Sequence, residues 1–364
     1  MASTIDSGTA AGAPSGGPAR KREVPRSAAL PLDLLRRFLI AREGSIVVVT
    51  ILLTLYFIVS LPSSSHFVSS SNLDALFPYF APYAILAVGE VFLMINAEID
   101  LSIGGVYLFA PYLYYELANG HVPLLIAVLI SIVACTLVGL VNGLITMFVG
   151  ISSFITTLGT LFTLEGFTLI ISHAQQVTAP GSQLAASATS SSLSTFASVF
   201  GAGTYSELIW ALVIVAIMHV LLVRTRWGVH TIAVGSNRIA AAEAGVRVRW
   251  IVIRNFMVCS TFAGIVGILE AIRTSSITPD PSGAGVLTLS AIACAVIGGT
   301  LLIGGAGTVV GALIGALFLG ILQDGLAIKG VNADYLDFYL GLAILLAMAI
   351  NTYVGRVRRR SGLG

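Results

Sequence analysis

Leu124-Leu-Ile-Ala-Val-Leu-Ile-Ser-Ile-Val-Ala-Cys-Thr-Leu-Val-Gly-Leu-Val141 is an apolar run without a single charge. About 20 such residues cross the hydrocarbon core of a bilayer as a helix. Ile46–Leu61 and Tyr339–Ile350 repeat the pattern. The whole chain is 56% hydrophobic and 10% charged, where soluble domains carry about 25% charged residues. No water in the bilayer core can satisfy backbone groups, so helix is the expected form, and the period-two alternation of a barrel is missing. The fold class that follows is all-α, a polytopic membrane helical bundle.

Charge gives the orientation. Of the 19 lysines and arginines, all but Arg273 and Lys329 fall in three clusters, at Arg20–Arg42, Arg224–Arg254 and Arg356–Arg360. The positive-inside rule puts all three in the cytoplasm, so spans between them come in even numbers. Apolar segments at 45–61, 76–95, 103–118, 123–148, 154–172, 206–223, 254–272, 287–303, 306–323 and 335–354 fit that rule. They predict about ten transmembrane helices with both termini cytoplasmic. Residues 1–44 read as a disordered basic tail with a membrane-proximal segment, 45–354 as the membrane domain, and 355–364 as a second cytoplasmic tail. The first apolar segment starts too late and runs too long for a cleavable signal peptide. Ser172–Tyr205 and Thr274–Gly285 fall outside.

Cys135, Cys259 and Cys294 sit in apolar runs and read as small buried hydrophobes. The five histidines are scattered without ligand spacing, so no metal site is expected. No nucleic-acid partner is expected either.

The cytoplasmic loop 224–253 contains Gly235-Ser-Asn237-Arg-Ile-Ala240-Ala241-Ala-Glu-Ala-Gly245. Asn237 fits an N-cap, and Gly245 fits the left-handed residue that closes a helix. The short helix between them is either a docking surface or a connector. Later come Gly298-Gly299, Gly304-Gly305 and Gly307, Gly311 and Gly315, the last three at intervals of four, which suits close helix packing. A phosphate-binding loop is excluded because no lysine follows; the chain's lysines are Lys21 and Lys329. Leu101-x-Ile-Gly-Gly105 recurs as Leu301-x-Ile-Gly-Gly305, a weak echo of the kind a duplicated transporter would leave.

Acids near the membrane are functional candidates. Glu90 and Glu165 fall within expected spans. Asn96-Ala-Glu98-Ile-Asp100-Leu-Ser102 lies between two, as either a break entering the bundle or an interfacial loop. Glu270 and Arg273 are spaced for a local ion pair, and Asp324 suits the outer interface. The substrate-pathway candidates are Asn96, Asp100, Ser102, Glu90 and Glu165.

Ile99-Asp100-Leu101-Ser102-Ile-Gly, Phe154-Ile-Thr-Thr-Leu-Gly-Thr160, Thr225-Arg-Trp-Gly228, Gly235-Ser-Asn237, Ala291-Ile-Ala293, Ile297-Gly-Gly-Thr300 and Gly304-Gly-Ala-Gly307 occur in this order. Together they resemble the permease subunits of bacterial ATP-binding cassette (ABC) importers for ribose, xylose and related monosaccharides, over about 45–354. The resemblance implies a monosaccharide permease in the cytoplasmic (inner) membrane, working with a second permease copy. It also implies a separate ATPase that binds ATP and Mg, and an extracytoplasmic sugar-binding protein. No cofactor is expected in this chain. Gly235, Asn237, Ala240, Ala241 and Gly245 would form the helix that couples to the ATPase. The chain departs from the family pattern at Ala97-Glu98, where two glycines are usual, at Glu90 and Glu165, and at Arg238, where an acid is common. Permeases for branched-chain amino acids or nucleosides are the nearest alternative, followed by an ion-coupled secondary transporter. No nucleophile–base constellation supports a membrane enzyme.

Overall fold

The computed structural model describes residues 44–62, 66–182, 195–332 and 335–360. The expected N-terminal tail lies outside the described residues. Helices α1 (Gly44–Ser60), α2 (Ser70–Ile95), α3 (Ile103–Asn119), α4 (Leu124–Leu144) and α5 (Ser153–Ile171) come first. A π turn, Ile145–Val149, extends α4. Then follow β1 (Val177–Thr178), α6 (Ser206–Arg224), α7 (Arg226–Ser236), α8 (Arg238–Glu243) and α9 (Val248–Thr274). The chain closes with β2 (Ser276–Ile277), α10 (Pro281–Ile297), α11 (Val309–Ile328) and α12 (Leu336–Arg360). Among the described residues, six helices are long and apolar enough to cross a membrane: α2, α4 with its π turn, α5, α6, α9 and α11. α1, α10 and the start of α12 are shorter apolar helices. The architecture is that of an all-α polytopic membrane protein.

Local chemistry sets the helix ends. Ser69 accepts from the Asn72 amide to start α2, and Thr308 accepts from the Gly311 amide to start α11. Asp280 caps α10 through the Ser282 amide, with Pro281 at its first position. α9 forms the middle of the bundle, packing on α4, α3 and α2, while α11 lies against α2 and α10. Leu125, Leu129, Val133, Leu137 and Val141 are exposed along one stripe of α4. Such a stripe would aggregate in water but suits lipid tails.

Three expectations about elements need correction. The span expected at 287–303 is helix only from Pro281 to Ile297. Beyond it, Gly299, Gly304 and Gly305 take positive φ and turn the chain back. α11 therefore begins at Val309, so Gly307 precedes it and does not share a helix face with Gly311 and Gly315. The echo also fails in conformation: Gly104 and Gly105 lie inside α3, whereas Gly304 and Gly305 are left-handed loop residues. A pair of two-residue strands joins two loops without changing the all-α class. β1 and β2 pair antiparallel, with Val177 opposite Ile277 and Thr178 opposite Ser276. Tyr112 of α3 pins them by donating to the carbonyls of Gln175 and Ile277.

Candidate functional site

Between α2 and α3 the chain leaves helix inside the protein. Asn96, Asp100 and Ser102 are fully buried, and Glu98 is nearly so. Irregular backbone at such a place survives only if its polar groups are satisfied. Every amide from 96 to 102 has an acceptor. Asn96, Ala97 and Glu98 donate back to carbonyls in the last turn of α2. Ile99 donates to Ser153 Oγ at 3.4 Å, Asp100 to Glu90 Oε2 at 3.5 Å, Leu101 to Thr157 Oγ1 at 3.0 Å, and Ser102 to Asp100 Oδ1 at 2.9 Å. The side chains then chain together. Ser260 Oγ donates to Asp100 Oδ2 at 3.2 Å, Ser102 Oγ donates to Asp100 Oδ1, and Asn142 Nδ2 donates to Ser102 Oγ at 2.8 Å. Thr160 donates to Asn142 Oδ1 at 2.6 Å. Glu90 also accepts from the Cys259 thiol at 3.4 Å. The break thus has an anchor on α2, α4, α5 and α9.

The Arg224–Arg254 segment closes over the same break. Asn237 caps α8 by accepting from the Ile239 and Ala240 amides, each at 3.0 Å. Gly245 follows at φ +83°, the left-handed close that its glycine permits. Arg238 donates to the Asn96 carbonyl at 2.7 Å and to Glu98 Oε1 at 2.5 Å. The free carbonyl of Ile95 takes the Gly305 amide at 2.8 Å. A Cβ on Gly235 would overlap that same oxygen. Trp227 and Asn96 are joined through Asn255, which accepts from Trp227 Nε1 at 2.9 Å and donates to Asn96 Oδ1 at 2.6 Å. α7, α8 and the Gly298–Thr308 loop therefore all converge on the end of α2.

At the opposite end of the bundle a cavity of 950 Å³ opens between α2, α3, α9, α10 and α11. Tyr79, Tyr83 and Tyr107 give it aromatic walls, and Gln323, Glu270 and Arg273 give it polar ones. Glu270 and Arg273 form a two-pronged ion pair. Glu207 of α6, itself buried, lies 3.2 Å from Arg273 Nε. That contact is within ion-pair range but is not aligned as a hydrogen bond.

Residues 72–348 match the family model described as branched-chain amino acid transport system / permease component. The chain belongs to this permease family. A xylose/arabinose import permease of Sulfolobus acidocaldarius is 35% identical, covering 89% of this chain and 88% of its own. Ribose import permeases of Haemophilus influenzae and Escherichia coli are each 32% identical, over 88% and 79% of this chain and 95% and 88% of theirs. The family description names amino acids, while these relatives are named for sugars. No solved structure matches the chain significantly.

Of the candidates read from sequence, the permease brings Glu90, Asn96, Asp100 and Ser102 into the buried network and leaves Glu165 apart, half-buried on α5. None of the five lines the cavity. Ala240 is exposed on α8, but Ala241 is buried against the bundle. The two alanines that the resemblance assigns to the coupling helix therefore differ: Ala241 is one helical step further round and points into the chain's own core. Gly298 and Gly311 meet backbone to backbone, and Gly315 lies against the Cys294 carbonyl. Gly307 sits against Ile95 instead. The tyrosines and Gln323 of the cavity carried no sequence signal, because Tyr79 and Tyr83 of α2, Tyr107 of α3 and Gln323 of α11 share no motif.

Proposed function

We propose that this permease is the membrane-spanning subunit of an ABC importer that carries a monosaccharide across the cytoplasmic membrane. A separate ATPase would hold ATP and Mg and supply the energy. A second permease copy would complete the pathway, and an extracytoplasmic binding protein would deliver the sugar. About ten spans, with both ends in the cytoplasm, accommodate the three basic clusters on one side. The sugar names of the relatives support a sugar over an amino acid.

The observation that carries the reading is the two-faced helix α8. Ala241 seals its inner face, whereas Ile239 stands 74% exposed on the outer one. An exposed isoleucine on a capped, rigid turn suits a protein partner. Arg238 on the same turn reaches the break at Asn96 and Glu98, so a push on α8 reaches the buried network directly. An ion-coupled transporter has no need of this wedge.

Ile239→Glu tests it. The variant removes an apolar contact and adds a charge on the bare face, leaving the chain's own packing intact. The permease is expected in membranes at normal level, but without its ATPase in a pull-down and without ATP-driven uptake. Normal assembly and uptake would reduce α8 to a connector.

A further inference from the structure

The 950 Å³ cavity is at the upper end of the size of small-molecule sites, about 300–1,000 Å³. Its chemistry is two-sided. Tyr79 and Tyr83 line the cavity, and aromatic rings suit the C–H face of a sugar ring. Gln323 is set by donating its amide to the Tyr83 hydroxyl at 3.4 Å, which leaves its carbonyl oxygen as an acceptor. Pro82 has no amide hydrogen, so the carbonyl of Pro78, on the cavity wall, has no helical donor.

Glu270 and Arg273 complete the polar side. Arg273 is 32% exposed and Glu270 23%, so both remain reachable. Guanidinium has five N–H donors, and Glu270 and Glu207 engage only one edge. Glu207 does not line the cavity. It lies 3.2 Å from Arg273 Nε and acts as a positioning residue for the guanidinium. Two carboxylates share one guanidinium, so the cluster has no positive charge left for an anion.

We propose that this cavity is a binding site for a neutral monosaccharide within the permease itself. Tyr79 and Tyr83 stack on the ring, and Glu270, Arg273 and Gln323 receive its hydroxyls. The identity of the ligand class rests on the importer reading above. The site goes beyond that reading, because it gives the permease a selectivity of its own: neutral sugars enter and sugar acids are turned away.

The test uses the full chain in lipid nanodiscs, without ATPase or binding protein. Saturation-transfer NMR, which detects weak binding, is run with D-xylose, L-arabinose, D-ribose, D-allose and the anion D-xylonate. At least one neutral sugar should receive signal, and D-xylonate none. Glu270→Gln and Tyr83→Ala should each weaken binding about tenfold, as loss of a charged hydrogen bond or a stacked ring does. Tyr79→Ala, at the exposed rim, gives the same reading without disturbing the packed wall. The proposal falls if none of the four sugars binds, if D-xylonate binds equally, or if folded Tyr79→Ala and Glu270→Gln bind like the parent. ATP-driven uptake by the assembled complex is measured in parallel. Uptake without binding by the lone permease sinks the site and leaves the importer reading standing; binding without any ATPase partner or uptake does the reverse.

Discussion

Glu98 and Arg238 stand 140 residues apart in sequence and 2.5 Å apart in space. Each looks like an isolated departure from the family pattern, and no local spacing announces that they meet. The pair ties α8 to the break after α2, and Arg238 holds the Asn96 carbonyl as well. Arg238 is 43% exposed, so solvent screens the pair, and a coupling of about 1 kcal/mol is the expected scale. Glu98→Arg and Arg238→Glu should each lower the melting temperature of the purified permease. The double reversal should recover only part of the loss, because a glutamate at 238 cannot donate to Asn96. A double variant no better than the sum of the singles would mean that the two charges do not communicate. Glu90 shows the same limit of sequence reading. Its position in a span marked it as a candidate, but its task of accepting from the Asp100 amide exists only because the helix breaks between them.

Helix identity was legible in composition, whereas helix ends were legible only at α8, where an Asn and a Gly flank a run of good helix formers. Asn237 and Gly245 closed α8 as their residue types require. The end of α10 was invisible because Ile297–Ile303 stays apolar while its glycines turn the chain away. Hydropathy cannot register that turn, nor a pair of two-residue strands. The correction changes what the late glycines do. A side chain on Gly311 would overlap the Gly298 carbonyl, which is backbone and cannot step aside. A Cβ on Gly307 would lie 2.8 Å from Ile95 Cγ1 and 2.9 Å from Thr300 Cγ2, both side-chain atoms. Gly311→Leu should therefore force α11 off α10, costing about 1–3 kcal/mol or more. Gly307→Ala should cost less, because small shifts of the Ile95 and Thr300 side chains absorb it. Thermal unfolding of the two variants in detergent checks the contrast. Equal melting temperatures would show that the α10–α11 contact is not close-packed.

At the scale of the whole molecule, the class and the family were carried by long apolar runs and by the order of short motifs. The cavity was not, since five helices each contribute to it and only the Glu270–Arg273 spacing on its wall was visible in the sequence. What sequence does supply is a direction across the membrane. The cavity and the strand pair lie at one end of the bundle, and Arg238, Asn96 and Gly305 meet at the other. If the basic clusters face the cytoplasm, the cavity opens outward, where an importer takes up its cargo. Ser282 at the start of α10 and Ser236 at the end of α7 are both exposed and mark the two ends. Cys135, Cys259 and Cys294 are buried, so native thiols should add little background. In intact cells, a membrane-impermeant maleimide should label Ser282→Cys and spare Ser236→Cys until the membrane is opened. The opposite pattern would turn the cavity toward the cytoplasm and overturn both the ten-span topology and import through this face.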